Sequence, residues 1–280
     1  MRESVLELQK KAIELRKIAL KMAHTAGSEG AHIGPAFSLM DIMAVLFFDT
    51  MNYRVSQPDW PDRDRLILSK GHACLGLYAP LVLSGLMTRE QADTFNQPHT
   101  HIAGHPSGKG VYGIEHPAGS LGHGLSVGCG IAKGARLNGQ GYNTYVVLGD
   151  GESNEGSVWE AVMFAAQHKL DNLVAVVDVN GFQFGGTTMD LMNMEPMADK
   201  WKAFGWHVLE VNGNDIAQLQ KALDPSSRVQ GMPTCVIART VKGYGVDRFA
   251  GNNDWHHGTL DQQVLTEAME ELDRQEERLK

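Results

Sequence analysis

The chain has little cysteine: three residues in 280, Cys74, Cys129 and Cys235, far apart and odd in number. That argues against a disulfide framework and fits free, buried thiols in a cytoplasmic protein. Long apolar runs are also missing, and none approaches the ~20 residues that span a bilayer. The N-terminus, MRESVLELQKKAIELRK, reads as an amphipathic helix containing acids and not as a signal peptide. A cytoplasmic location is therefore expected. Positive charge is in short supply: 25 Lys and Arg stand against 33 Asp and Glu, a formal charge of −8. With no basic cluster, neither nucleic acid nor an anionic membrane surface is an expected partner. Low-complexity stretches, internal repeats and linkers are lacking too, so one domain over residues 1–280 is expected. A composition of 42% hydrophobic and 21% charged residues is that of a globular protein. The counts that stand out are 31 Gly and 12 His. Many glycines imply tight turns and close backbone approaches, so a site rich in both residue types is the thing to find.

Apolar residues Val5, Leu8, Ala12, Leu15, Ile18, Ala19 and Met22 share one helical face and predict a helix from about Ser4 to His24. A second helix is predicted over Ser38 to Asp49, with Ser38 and Asp41 as an acidic capping box. DRLILS predicts a short strand, followed by a helix from about Ala73 to Ser84. Asn96 to Glu115, rich in Gly, Pro and His, reads as a long loop, and such loops are usually functional. From there the pattern is regular. Leu121–Leu137 is a helix, TYVVLG a buried strand, Ser157–His168 a helix and LVAVVDV a second buried strand. A short helix near Ala198–Phe204, the strand WHVLEV, a helix near Ile216–Leu223 and the strand TCVIAR follow. A charged amphipathic helix covers about 259–280. Strand and helix alternate throughout, which predicts an α/β fold with a doubly wound, mainly parallel sheet.

The sharpest local signal is Gly149-Asp150-Gly151 directly after the strand TYVVL. Ligands of open parallel sheets bind beyond the carboxyl ends of strands. The next strand ends at Asp178-Val179-Asn180-Gly181, and sequential strands tend to pair, so Asp150 and Asn180 should converge. A carboxylate, an amide oxygen and a nearby main-chain carbonyl, such as that of Phe182, form a hard-oxygen site for Mg²⁺ or Ca²⁺. Room remains in it for two diphosphate oxygens and a water.

GDG followed about thirty residues later by Asn is the thiamine diphosphate motif, and GDGESNEGSVWEA…NLVAVVDVNGFQ resembles the transketolase family. AHIGPAFSLMDIMAVLF, SKGHACLGLY, AGHPSG, EHPAGSLGHGLSVGCGIAKGARL and the late HHG resemble further blocks of that family, in its order, from about residue 5 to 260. The resemblance is to the diphosphate-binding half alone, and implies the thiamine diphosphate-binding fold. It implies that Asp150, Asn180 and the Phe182 carbonyl hold the metal and that the Gly151 backbone meets the diphosphate. Gly119, Ser120 and Leu121 would contact the aminopyrimidine through main-chain groups. His72 and His257 would contact the diphosphate and flank the substrate, while His32 and His105 would bond the hydroxyls of a donor sugar. Glu155 would lie at the subunit interface near the cofactor. Either His256 or His257 matches the family's late histidine; His257 is preferred because Gly258 follows it. The sequence departs from the family where Ser120 replaces Pro, His123 replaces an amide and Ala31 precedes His32.

The implied function is the N-terminal subunit of a split transketolase. It would move a two-carbon ketol unit from a ketose or ketose phosphate to an aldose or aldose phosphate, together with a separate C-terminal subunit. That partner would supply the pyrimidine-binding half: a glutamate for the pyrimidine ring, an aromatic platform and most sugar-phosphate ligands. The expected assembly is a two-plus-two heterotetramer. Competing readings are a related thiamine enzyme subunit, of 2-oxo acid dehydrogenase or deoxyxylulose-phosphate synthase type, and a non-catalytic partner-binding subunit. His99, His101 and His105 lack the cysteines and supporting shell of a zinc site. Gly124-Leu-Ser126-Val-Gly128 has the spacing of a serine-hydrolase elbow but follows no strand.

Overall fold

In the computed structural model, which describes residues 3–108 and 110–280, five strands form one parallel sheet. They are β1 (Arg65–Leu68), β2 (Thr144–Gly149), β3 (Leu173–Val179), β6 (His207–Asn212) and β7 (Thr234–Arg239), in the order β1-β2-β3-β7-β6. A two-residue hairpin, β4 (Phe182–Gln183) with β5 (Gly186–Thr187), lies outside the sheet. After β3 the chain crosses to the far edge, forms β6 and returns to fill the gap with β7. All four strand pairings are parallel, so every carboxyl end opens on one edge.

Strand periodicity sorts the core into two layers. Tyr145, Val147, Val174, Val176, Val236 and Ala238 face one side. They pack under helices Val5–Thr25, Met40–Val45, Leu75–Ser84, Ile216–Leu223 and Gln262–Glu277. Val146, Leu148, Ala175, Val177, Cys235 and Ile237 face the other, under Gly124–Leu137, Gly156–Gln167 and Met197–Ala203. Close packing on that second side needs the glycine at position 128. A Cβ there would stand 2.4 Å from Val146 Cγ2. The sheet is thus covered on both faces, which explains why its central strands are almost uninterruptedly apolar.

Most predicted elements appear within a residue or two of their expected ends. The first helix runs Val5–Thr25, capped by Ser4 Oγ, which accepts from the Glu7 amide at 3.1 Å. The Ser38–Asp41 capping box does not form. The Ser38 hydroxyl is turned inward, donating to Asp178 Oδ2 at 2.6 Å, and Asp41 pairs with Arg16. The helix therefore starts at Met40 and loosens into one wide turn over Leu46–Thr50. The next helical face begins at Gly124, not Leu121, because Leu121 and Gly122 belong to the loop that enters the site. Among the described residues, 96 to 123 contain no helix or strand. The last helix, Gln262–Glu277, is more than a solvated face. Val264, Ala268 and Leu272 are buried, and Lys17 of the first helix bridges to Asp273 and Glu276.

Arg16 and Asp41 form a buried bidentate pair, with 2.7 Å between Nη2 and Oδ2. Arg16 Nε also donates to Tyr244 O at 2.9 Å, and Asn214 Nδ2 donates to Asp41 Oδ2 at 3.0 Å. The pair staples the first helix to the loop after β7. Removing one partner leaves an uncompensated charge in the interior, so Asp41→Ala should cost about 3–5 kcal/mol in denaturant unfolding. A loss below about 1 kcal/mol, the scale of a surface pair, would contradict this role.

Candidate active site

The site lies along the carboxyl edge of the sheet. The register sets Gly149 opposite Asp178, and the Asp150 amide donates to Asp178 O at 3.1 Å. Asp150 and Asn180 therefore leave adjacent strands side by side. Asp150 Oδ1 accepts from the Gly151 amide at 2.8 Å and Oδ2 from the Gly181 amide at 2.7 Å. Gly181 has φ +81°, a left-handed conformation that a side chain would strain, and this aims its N–H at the carboxylate. Asn180 Oδ1 accepts from the Phe182 amide at 3.1 Å. Burial pushes the Asp150 carboxyl up to about 6, and the nearby Asp178 charge adds to the shift.

These residues border a cavity of about 400 Å³. Its walls include His32, His72, His105, Gly119, Leu121, Asp150, Gly151, Glu155, Asn180 and Phe182, ten residues singled out from the sequence. Ser120 is exposed and outside this lining, and His257 borders an adjoining cavity of about 290 Å³ with His32 and His105. His256 faces the larger cavity and stacks on His72, with ring centroids 5.4 Å apart. The two late histidines thus serve different walls. His32 sits between them, 5.5 Å from His256 and 4.5 Å from His257. An antiparallel bridge joins their segments: the Ala31 amide donates to Gly258 O at 2.9 Å, and the Gly258 amide to Ala31 O at 3.1 Å. Gly30, at φ +65°, allows this approach, since a Cβ there would lie 2.8 Å from Gly258 O.

Sequence reasoning missed Lys70, Glu152 and Lys242. Lys70 is 2% exposed, donates to Pro35 O at 3.0 Å and pairs with Asp178. Lys242 Nζ donates to His256 Nδ1 at 2.8 Å. An ammonium has only donors, so Nδ1 is unprotonated and the neutral ring carries its proton on Nε2. Glu152 gathers the loops: Oε1 accepts from the Gly122 amide at 2.8 Å and from Ser69, and Oε2 from the Gly149 amide at 3.0 Å. The rule that led to Asp150, that function gathers beyond strand ends, finds both lysines when applied to β1 and β7. Lys70 lies two residues past β1 and Lys242 three past β7.

Burial keeps His32, His72, His105 and His256 neutral, and neighbouring positive charge adds to it for all but His105. Burial, with His257 and His256 beside it, lowers His32 to about 3, and burial with Lys70 lowers His72 to about 2. Burial with Lys242 lowers His256 to about 4, and burial alone lowers His105. Burial, then Lys70, lowers Lys242 to about 8. The site therefore combines uncharged imidazoles able to donate or accept, Lys242, the Lys70–Asp178 pair, and the acidic side chains of Asp150, Glu152 and Glu155 in its lining.

Comparison with known proteins agrees with this geometry. The family model described as "Transketolase, thiamine diphosphate binding domain" matches residues 8–278, and the chain belongs to the transketolase family as its thiamine diphosphate-binding domain. One subunit of the apulose-4-phosphate transketolase of Phocaeicola vulgatus is 39% identical over 279 residues, covering all of this chain and 98% of the relative. 6-Deoxy-6-sulfo-D-fructose transketolase subunit SqwG of Clostridium sp. is 37% identical over 275 residues, covering 98% and 99%. Transketolase of Campylobacter jejuni superposes with a TM-score of 0.88 at 30% identity, over all of this chain but 46% of that one. The chain thus spans less than half the length of the solved transketolases it resembles.

Acid stability should carry the signature of the buried histidines. Their folded pKa values lie below the unfolded value near 6.5, so the unfolded chain takes up their protons first. Their contribution is complete above about pH 6.5 and is lost as pH falls toward the folded values. The raised Asp150 carboxyl acts in the opposite direction between about pH 4 and 6, so the test is differential. His72→Asn should flatten the fall of Tm between pH 7 and pH 4 relative to wild type. Parallel Tm profiles would show that His72 is not held neutral by the fold.

Proposed function

We propose that the chain is the diphosphate-binding, N-terminal subunit of a thiamine diphosphate-dependent transketolase, working with a separate subunit that carries the pyrimidine-binding half. The observation that carries this reading is the convergence of Asp150, Asn180 and the Phe182 backbone under two lysines and five histidines. Full-length correspondence to relatives named as transketolase subunits supports the split arrangement, as against a 2-oxo acid dehydrogenase or synthase subunit.

The residues present fit the cofactor. Asp150 and the oxygen of Asn180 are hard donors, suited with the Phe182 carbonyl to Mg²⁺ or Ca²⁺. Gly151 leaves its backbone open toward the cavity; a Cβ there would crowd Gln183 Cγ at 2.9 Å. Gln183 and Asn154 belong to the same lining, and Gln183 Nε2 and Asn154 Oδ1 are buried without a partner in the protein. Such atoms call for a polar ligand. Lys242, which meets only neutral groups, brings a positive charge to the lining where a diphosphate would lie, while Lys70 is paired with Asp178.

In this reading the Gly119–Leu121 loop offers main-chain groups to the aminopyrimidine, with Glu155 at the seam where the partner closes. Bound thiamine diphosphate would supply the carbanion that accepts and passes on the two-carbon unit. The chain's own part is to orient and to move protons. His72 and His256 border the diphosphate end. His32, His105 and His257 border the adjoining cavity and would bond the hydroxyls of a donor sugar, each imidazole able to take a proton from one and return it to the next. The relatives named for a phosphate and a sulfo sugar point to an anionic ketose, its charged end met by the partner subunit. We further propose a two-plus-two heterotetramer.

Two measurements test this. Asp150→Ala should abolish cofactor binding in calorimetry of the reconstituted complex, with circular dichroism unchanged because the residue follows the end of β2 and belongs to neither hydrophobic layer. Undiminished affinity would overturn the metal assignment. His32→Ala and His105→Ala should each lower ketol-transfer kcat by ~10²-fold while leaving cofactor affinity nearly constant, because their bonds strengthen in the transition state. Wild-type rates in both, or full activity of the chain without its partner, would refute the proposal.

A further inference from the structure

The acid at the end of β3 has no assigned role, and yet the site is arranged around it. Asp178 is completely buried, and it accepts from four side chains. Ser38 Oγ at 2.6 Å, Lys70 Nζ and Asn180 Nδ2 at 3.1 Å meet its Oδ2, and Thr240 Oγ1 meets Oδ1. We propose that Asp178 is a positioning residue that aims the Asn180 side chain, so that an oxygen and not an NH₂ group is presented beside Asp150. The inference rests on the thiamine diphosphate reading above and adds the device that makes Asn180 a competent ligand.

The argument depends on which atoms can donate. A carboxylate paired with a lysine has only acceptors, so the Asn180 atom that faces it must be nitrogen. A backbone amide has only a donor, so the Asn180 atom facing Phe182 N at 3.1 Å must be oxygen. Two neighbours of opposite character therefore select the same orientation of the amide. Turned over, it would set NH₂ against N–H on one side and oxygen against a carboxylate on the other. It would also present a donor to a cation. Asp178 holds the other ligand as well, because its carbonyl accepts from the Asp150 amide at 3.1 Å. A buried ion pair such as Lys70–Asp178 is weak as a source of stability, but it can fix a specific arrangement. Here Ser38 Oγ, Lys70 Nζ and Asn180 Nδ2 all donate to the one oxygen, Oδ2, and that shared acceptor selects the amide nitrogen.

The test uses the full chain with its partner subunit, thiamine diphosphate and Mn²⁺, with free Mn²⁺ read by electron paramagnetic resonance. Outer-shell partners of metal ligands typically contribute about 10- to 100-fold in affinity, so Asp178→Leu, which removes the acceptor, should raise the Mn²⁺ Kd by at least ~10-fold. Ser38→Ala removes a donor from the same carboxylate but leaves the acceptor of Asn180 in place, and should shift Kd by less than about twofold. Adding Asn180→Asp to Asp178→Leu should restore tight binding, since a carboxylate presents oxygen in either orientation and the net charge is kept. An unchanged Kd in Asp178→Leu, an equal loss in Ser38→Ala, or no rescue by the double variant would overturn the proposal. Should Asp178→Leu fail to fold, the Asn180 side-chain amide of the ¹⁵N-labelled wild-type chain decides. Slow exchange of its NH₂ protons supports the bond to Asp178, and exchange as fast as a free amide overturns it. Failure of the wild-type complex to bind Mn²⁺ with thiamine diphosphate would instead strike the cofactor reading itself.

Discussion

The parallel pairing of β2 with β3 is the constraint on which the rest of the molecule depends. It places Gly149 opposite Asp178, and so brings the ends of two strands, thirty residues apart in sequence, to one point. Side chains alternate along a strand, so a slip of one residue would exchange the two faces of the sheet. Val146 and Leu148 would then meet the layer built for Tyr145 and Val147. The two hydrophobic cores therefore hold the register, and the register holds the site. No loop has to find Asp150 and Asn180 their positions.

Electrostatics at that edge follow from the same burial. Lys70 is neutralised by Asp178, and Lys242 leans on Asn253 and His256. His32, His72 and His256 can remain uncharged because protonating them would add positive charge to a poorly hydrated place that already holds two ammonium groups. A site of this composition leaves neutral rings free to exchange protons with hydroxyls. Glu152 gives it rigidity, tying the loop that carries Gly122 to the end of β2 through one carboxylate.

Contacts distant in sequence bring the remaining walls into place. The bridge between Ala31 and Gly258 carries His32 to the late histidines, and the Arg16–Asp41 pair fixes the turn that follows Lys242. Exposed apolar residues at the rim, Phe184 and Met189 among them, continue from the hairpin after β3. Apolar surface beside a polar cavity is a common mark of a protein–protein interface, which agrees with the proposed partner subunit.

The sequence by itself determined the alternation of strands and helices, the buried character of β2 and β3, and the pairing of GDG with Asn180. Each of these is written in periodicity or in short spacing, which follow from local backbone geometry. His32, His72 and His105 were marked by blocks that resemble those of the transketolase family. Only the tertiary structure decided that His256 and His257 serve different cavities, that Ser38 turns to Asp178 instead of capping a helix, and that Lys70, Lys242 and Glu152 belong to the site. Those outcomes depend on burial and on partners up to 140 residues away, as with Glu152 and Ser69 or Ser38 and Asp178. A serine has no local mark that separates a solvated role from a buried one, and a lysine has only its place just past a strand end, because the difference lies in what folds over it.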